Sequence, residues 1–209
     1  MNMRRTKLTR ARMRNKTLSI ALALVFAAVL PISFVSCAAV PTEDEAIEII
    51  ENLLPRTYLL NEIYFGKGLD YIDDGSEGRY MPVSDDSPYL TEEELRTATE
   101  AVFSSDYSEA IFDIYLTGYS DDDTGSIIYA RYYEYGDRLY IDTEAEVLVS
   151  SERTYDLESV EITSISSRFI VFTAQSYLDG TADEVIEITI TSEKDDDGET
   201  IWRINSATY

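Results

Sequence analysis

The side chains that could do chemistry in this chain are carboxylates and tyrosines. The 209 residues include 40 Asp and Glu and 16 Tyr, but no His and a single Cys. A Ser-His-Asp triad, a Cys-His nucleophile pair, a His- or Cys-bound structural zinc and an intramolecular disulfide are therefore excluded. What remains is the chemistry of carboxylate, tyrosine, lysine and serine groups.

Four acidic clusters occur in turn-like segments that could offer oxygen ligands to calcium. They are Asp73-Asp74, Asp85-Asp86, Asp121-Asp122-Asp123, and Asp195-Asp196-Asp197 with Glu199. None fits the calcium-loop pattern: Gly125 takes the place of a ligand, and the cluster from Asp195 lacks a glycine at its sixth place. We interpret the clusters as solvated turns and predict no metal or other cofactor, although a site built from two clusters in space stays open. The candidate partner-binding residues are Asp73, Asp74, Asp121, Asp122 and Asp123.

Carboxylate pairs and tyrosines leave two other uses open. Two carboxylates about 5 to 9 Å apart in a cleft can hydrolyse glycosides, but forty carboxylates make such pairs common in any fold. Tyr129, Tyr133 and Tyr135 alternate along one predicted strand and could stack on carbohydrate. Tyrosine also suits a half-buried sheet, with its ring packed and its hydroxyl in water. We favour the packing interpretation and predict no catalytic residue and no enzyme.

The first 36 residues have the organisation of an export signal. Seven of the seventeen Lys and Arg precede residue 18, no Asp or Glu does, and residues 20–30 are all apolar. A basic start, an apolar core of this length and small residues before a cleavage site are typical of a secretory signal peptide. The core is also shorter than the ~20 residues of a membrane-spanning helix. We predict a signal peptide at 1–36.

The residues around the only cysteine, Phe34-Val35-Ser36-Cys37, resemble the lipobox of bacterial lipoproteins. The resemblance implies that Cys37 receives a diacylglyceryl group, becomes the first mature residue and begins a tether at 37–41. Phe34 departs from the aliphatic residue usual at its place, so an uncleaved anchor and plain secretion are the alternatives. In all three cases the positive charge stays inside, and we expect the rest of the chain outside the cytoplasm, on the outer face of the membrane.

Residues 42–209 have the length of one domain with a sizeable core. The mature part keeps all 40 acidic residues but only ten of the seventeen basic ones, so its formal charge is −30. Such a field repels nucleic acid, anionic lipid head groups and anionic wall polymers, and attracts basic proteins or divalent cations. A nucleic-acid partner is therefore excluded.

Helical patterns occupy the first half of this domain. Capping boxes at 42–45 and 91–94 predict helices at about 43–64 and from 92 to 103, and Pro55 should bend or split the first. A third helix is predicted at about 107–116, with Ile111, Ile114 and Tyr115 on its inner face. Segments 69–72 and 79–83 flank a turn-rich stretch and predict a short hairpin.

The period changes to two at Ser126. One strand is predicted over 126–135, then a Gly136-Asp137 turn into a strand at 138–141. Further strands are predicted at 147–149, 157–166, 168–177, 185–192 and 201–205, with turns at Ser166-Ser167, Asp179-Gly180 and Asp195-Asp196-Asp197-Gly198. Short links require antiparallel pairing, so this half is predicted to be a meander. For Arg131 and Arg168, both at strand positions, we expect surface ion pairs, with a buried acid as the alternative.

This order of elements predicts an α+β domain whose N-terminal helices pack on a curved antiparallel sheet. The order resembles the cone-shaped fold of nuclear transport factor 2 and its cystatin-like relatives. The strand, acidic Gly turn and closing strand over 185–205 resemble the usual ending of that fold.

The mature chain also resembles exported Gram-positive envelope proteins that include the inhibitor of cell-separation DL-endopeptidases, the IseA type. The resemblance is carried by residues 79–83, the capped helix ending at Phe103, residues 107–115, and Ala130-Arg131-Tyr132-Tyr133 before a Gly-Asp turn. It implies a non-enzymatic protein that docks on a basic peptidoglycan hydrolase and blocks its cleft. The alternatives are a cone-fold domain that binds or converts a small molecule with Asp, Glu and Tyr in a pocket, and an envelope lipoprotein without a partner. The oligomeric state stays open.

Overall fold

A computed structural model of the protein describes residues 39–73, 75, 78–121, 126–149 and 152–209. Four sets of predicted features lie outside this part of the chain: the signal peptide at 1–36, the lipid-attachment site Cys37, Asp74, and the pair Asp122-Asp123. In the described part, no helix is both long and apolar enough to cross a membrane.

Two helices open the domain, α1 at Glu43–Leu53 and α2 at Arg56–Tyr64. The predicted capping box starts α1: the Glu45 backbone N–H donates to Thr42 Oγ1 at 3.3 Å, and the Thr42 N–H donates to Glu45 Oε2 at 2.8 Å. Pro55 separates the two helices, as predicted, because proline has no N–H to donate and its ring clashes with the preceding turn.

The second helical pair is α3 at Glu92–Glu100 and α4 at Ser105–Phe112. Thr91 begins α3 through the other predicted capping box, accepting from the Glu94 N–H at 3.2 Å. The predicted break at Ser104 is the N-cap of α4, where the Ser104 side chain accepts from the Tyr107 N–H at 3.4 Å.

A π-helical turn at Asp113–Thr117 continues α4. It corrects one prediction: Ile111 and Tyr115 face the core, but Ile114 is 41% exposed. A π turn inserts an extra residue per turn, and that rotation takes Ile114 off the inner face.

Ten strands form three antiparallel sheets within the described residues. They are β1 (Tyr80–Pro82), β2 (Tyr119–Asp121), β3 (Ser126–Ile128), β4 (Tyr132–Tyr135), β5 (Arg138–Asp142), β6 (Arg153–Tyr155), β7 (Glu161–Ile165), β8 (Phe169–Leu178), β9 (Thr181–Lys194) and β10 (Thr200–Ile204). The first sheet has the order β1-β5-β4, and β2 and β3 pair alone. In the largest, β10, β9 and β8 are neighbours, and β6 and β7 share the other edge of β8.

The strands β7 to β10 pair consecutively, so the predicted meander is confirmed for this part of the chain. It is wrong between β5 and β7, because β5 pairs with β1 and β6 pairs with β8. Its turns use the predicted residues: Asp179 and Gly180 both have positive φ, 49° and 77°, as a two-residue type I′ hairpin loop requires. The two-residue loop from β4 to β5 has positive φ at Gly136 (66°) but not at Asp137, as a type II′ loop requires.

Two strand predictions are wrong and a third is confirmed in part. Residues 147–149 form no strand, and the predicted strand over 126–135 is interrupted at 129–131. The predicted hairpin of 69–72 with 79–83 is present as one antiparallel bridge between Tyr71 and Val83, while β1 also pairs with β5. Arg131 and Tyr132 are both buried, at 4% and 0% exposure, and two inward neighbours cannot occur in a regular strand.

The core lies between the helices and the concave side of the large sheet. The side chains that β8 and β9 project inward are completely buried: Ile170, Phe172, Ala174, Ile188 and Ile190. The α1 helix packs on β7 and β10, and the core cluster is drawn wholly from residues 46–204. The fold class is therefore confirmed as α+β, with helices on a curved antiparallel sheet, and the body after the predicted tether contains its own core.

Both ends of the described chain are held against this body. Val40 and Pro41 lie beside Ile49 of α1 and the partly buried Trp202 of β10. At the other end, Asn61 Nδ2 donates to the carbonyl oxygen of Thr208 at 2.9 Å.

Candidate functional site

A cleft of about 470 Å³ opens between the π-helical turn, the end of β3 and the loop that follows β5. We call it the Ile127 groove. Its rim carries Ile114, Ile127, Tyr129 and Leu148, its floor carries Phe65, Tyr115 and Tyr209, and one wall carries Arg79, Asp142, Glu144 and Glu146.

The rim of the groove is apolar and exposed to water. Ile127 is 63% exposed, Leu148 58%, Tyr129 51% and Ile114 41%. Burying an aliphatic side chain of this size is worth about 1.5–3 kcal/mol, so leaving several together in water forgoes that stabilisation. Contiguous exposed apolar surface of this kind marks interaction sites.

The apolar surface continues past Ile127 and Tyr129, which also line a neighbouring cleft of about 460 Å³. Tyr80, Leu116 and Tyr133 line the rest of it. Tyr133 is 50% exposed and its ring lies 5.9 Å from that of Tyr80. The ridge formed by Ile127 and Tyr129 therefore presents apolar surface on both sides.

The charged wall is fixed by an ion pair between Arg79 and Asp142. Arg79 Nη2 and Nε lie 2.7 and 2.8 Å from Asp142 Oδ2, and the Asp142 side chain is almost completely buried. The Arg79 guanidinium also lies over the Tyr129 ring, with 4.0 Å from Cζ to the centroid. The hydrogen bond with Asp142 raises the pKa of Arg79. The contacts with Asp142 and with the Tyr129 ring hold the guanidinium in the wall and orient Tyr129.

The floor is an aromatic stack. The Tyr209 ring stacks on Phe65 at 3.7 Å between centroids, and Tyr115 meets Phe65 edge-on at 5.4 Å. Burial raises the pKa of Tyr115 to about 12, so its hydroxyl stays protonated at neutral pH. The floor is thus an aromatic surface.

Arg131 also lines the groove, and its position corrects a prediction. It forms no surface ion pair: its side chain is buried and donates to the carbonyl oxygens of Tyr64 at 3.0 Å and Gly66 at 2.6 Å. Its Nε has no hydrogen-bond partner. Arg168 differs as well, since it is exposed in the turn before β8 and makes no ion pair with any described residue. Arg131 is therefore a support for the end of α2.

Of the predicted partner-binding aspartates, the structure describes Asp73 and the backbone of Asp121. Asp73 is exposed and its Oδ1 accepts from the Gly75 N–H at 3.0 Å, which is a local turn. Asp121 ends β2 and pairs with Ser126, while Asp74, Asp122 and Asp123 lie outside the described residues. No group of three His, Cys, Asp or Glu in the described ranges could hold a metal ion.

The three tyrosines that alternate in the sequence do not share one strand face. Tyr129 lies in the interruption between β3 and β4, whereas Tyr133 and Tyr135 lie in β4. Tyr135 is 68% exposed and contacts the Tyr140 ring at 6.4 Å. Of the three, only Tyr129 lines the Ile127 groove.

Sequence reasoning missed the apolar rim of the groove. Helical spacing places Ile114 on an inner helix face, and Leu148 lies in a predicted strand. The apolar run Val147-Leu148-Val149 has the pattern of a short buried strand, so no local signal indicated that Leu148 is exposed.

No protein-family model matches the chain, and no curated protein sequence is significantly similar to it. The resemblance to the DL-endopeptidase inhibitors therefore stays a prediction.

Proposed function

We propose that the protein is an exported, lipid-anchored binding module of the cell envelope that docks on a basic peptidoglycan hydrolase and restrains it. The single observation that carries this proposal is the exposed apolar surface of the Ile127 groove on a strongly acidic body. An apolar surface of this kind gains free energy when a protein partner covers it.

The location in the envelope is supported by the basic start, the apolar run and the lipobox-like residues before Cys37. The partner's charge is supported by the formal charge of −30 on the mature chain, because opposite fields speed and orient encounter. Anionic wall polymers and anionic lipids are repelled by the same field.

The enzymatic alternative requires an open pocket, which in a cone-shaped fold would lie on the concave side of the sheet. That face carries completely buried side chains, such as Ile170, Phe172 and Ile188, which supports a binding role over a pocket enzyme. The alternative of an envelope lipoprotein without a partner does not account for an apolar groove open to water.

The test uses residues 38–209, which are the predicted mature chain without Cys37, with purified cell walls and a wall-hydrolase extract. We expect the protein to slow the loss of wall turbidity in proportion to its concentration, to cause no lysis alone, and to act equally with a chelator present. Unchanged lysis at saturating protein, or lysis by the protein itself, would contradict the proposal.

The matched variants are I127S/L148S, which removes two rim side chains, and V185S, which removes an exposed valine of β9 outside the groove. Val185 is 62% exposed, so its substitution controls for the loss of surface hydrophobicity alone. We expect V185S to inhibit like the unmodified chain and I127S/L148S to inhibit at least tenfold less.

A further inference from the structure

We infer that the Ile127 groove recognises a partner segment in which a large apolar side chain is adjacent to Lys or Arg. The apolar side chain lies against Ile127 and Leu148, and the cation lies at Glu144 and Glu146. This inference rests on the proposed function and specifies what the site selects.

The size of the groove fits a short peptide segment. Its volume of about 470 Å³ lies within the roughly 300–1,000 Å³ typical of ligand sites. The rings of Phe65, Tyr115 and Tyr209 form an aromatic floor, which favours an aliphatic or aromatic side chain over a polar one. Anchoring of one such side chain in a pocket is how protein interfaces concentrate their binding free energy.

The wall carries two exposed carboxylates beside the apolar rim. Asp142 Oδ2 is held closely by Arg79, whereas Glu144 is 68% exposed and makes only a longer ion pair with the same guanidinium, 3.6 Å from Glu144 Oε2 to Arg79 Nη1. Glu146 is exposed and has no cationic partner among the described residues. A Lys or Arg next to the apolar anchor would complete this wall.

One face of the Tyr129 ring is already covered by the Arg79 guanidinium. A cation of the partner cannot bind that face. The two glutamates are therefore the groups that distinguish a basic segment from a neutral one. An acidic segment would be repelled by the carboxylates of Glu144 and Glu146 and also by the negative charge of the whole domain.

The charge also decides between a foreign partner and a second copy of the chain. Two mature chains would each bring a formal charge of −30 to the contact, and like fields oppose association. A basic partner gains from the same field. The occupant is therefore a cationic protein segment and not another protomer.

The experiment is selection of a phage-displayed random-peptide library on the immobilised mature chain at low ionic strength. We expect the enriched peptides to pair an aliphatic or aromatic residue with a neighbouring Lys or Arg. Synthetic versions should bind I127S/L148S at least tenfold more weakly than the unmodified chain and V185S within twofold. Enrichment of neutral or acidic peptides, equal binding to I127S/L148S, or no enrichment at all would overturn the inference.

A second pair of variants separates the effect of Glu144 and Glu146 on binding from the effect of the overall charge of the domain. E144K/E146K and E161K/E187K change the net charge equally, but Glu161 and Glu187 are exposed on the large sheet, outside the groove. We expect the first pair to weaken peptide binding at least tenfold more than the second, and equal effects would overturn the role of the two glutamates. The substituted groove residues are all exposed: Ile127, Leu148, Glu144 and Glu146. Each variant should therefore unfold at the same temperature as the unmodified chain.

The two proposals fail separately. If the selected peptides bind the groove but wall lysis is unaffected by the protein, the peptide specificity stands and the hydrolase role falls. If lysis is inhibited equally by I127S/L148S and the unmodified chain, the hydrolase role stands and the groove is not its docking site.

Discussion

Arg131 Nη2 lies 2.6 Å from the carbonyl oxygen of Gly66, just beyond the end of α2. A cation at a helix C-terminus satisfies carbonyl groups that have no partner within the helix and interacts favourably with the helix dipole. A single buried guanidinium thus connects the segment before β4 to the end of α2 and forms part of the groove wall.

We expect Arg131→Met to destabilise the fold by about 2–4 kcal/mol, because two buried carbonyl oxygens lose their donors at about 1–3 kcal/mol each. Urea unfolding of the mature chain measures the change. Arg168→Met removes an exposed arginine and should change the free energy of unfolding by no more than about 0.5 kcal/mol. Equal effects of the two substitutions would show that the Arg131 bonds contribute nothing.

The Thr91 capping box gives a second stability prediction. Thr91→Ala should cost about 1 kcal/mol, because the Glu94 N–H loses its acceptor at the start of α3. Thr97→Ala is the matched control: Thr97 is exposed within the same helix, where alanine is the better helix former. A urea midpoint that falls for Thr97→Ala and not for Thr91→Ala would contradict the assignment.

Buried tyrosines predict a loss of stability in alkali. Burial raises the pKa of Tyr132 to about 12, and it also raises the pKa of Tyr64, Tyr107 and Tyr155. In the unfolded chain tyrosine titrates near pH ~10. Above that pH the unfolded state binds fewer protons than the folded state, so stability is complete below about pH 10 and is lost towards about pH 12.

Urea midpoints at about pH 8, about pH 10 and about pH 11 test this expectation. Tyrosinate absorbance should rise together with the loss of far-ultraviolet circular dichroism, because these hydroxyls ionise when the core opens. A constant midpoint across the series would contradict it.

The charge of the domain predicts salt-sensitive association with its partner. Exposed charges are screened over ~10 Å at 0.1 M salt and ~3 Å at 1 M, so the association rate should fall at least tenfold between about 0.05 and about 0.5 M salt. The dissociation rate, set by the apolar contacts, should change much less. Surface plasmon resonance on the captured hydrolase separates the two rates, and an association rate indifferent to salt would remove the steering argument.

Cys37 gives a prediction about lipid attachment. Replacing it with alanine should abolish the attachment, because the predicted acceptor thiol is lost while export continues. Metabolic labelling with a fatty-acid analogue should mark the unmodified chain only. Label retained by Cys37→Ala would contradict lipidation at this residue.

The parts of the fold that could be predicted are those encoded by neighbouring residues. The capping boxes at Thr42 and Thr91, the break at Pro55 and the turn at Asp179-Gly180 each depend on contacts within a few positions. These features determine where elements begin and end, and with the change of period at Ser126 they predicted the fold class.

The parts that could not be predicted depend on contacts distant in sequence. Arg131 and Tyr132 are both buried because α2 supplies acceptors for both: Tyr132 donates to the Ile63 carbonyl oxygen at 2.8 Å. The alternation of side chains along β4 cannot predict contacts with α2, which is distant in the sequence. The groove was missed for the same reason, since Ile127 and Leu148 are brought together only by the folded chain.

The chain contains one tryptophan, and it is the residue of β10 that lies beside Val40 and Pro41. Its fluorescence therefore has a single source, at the place where the tether meets the body. Emission from Trp202 can report how closely that junction approaches a bilayer carrying quencher lipids, without an added dye, while the binding surface contributes no indole background.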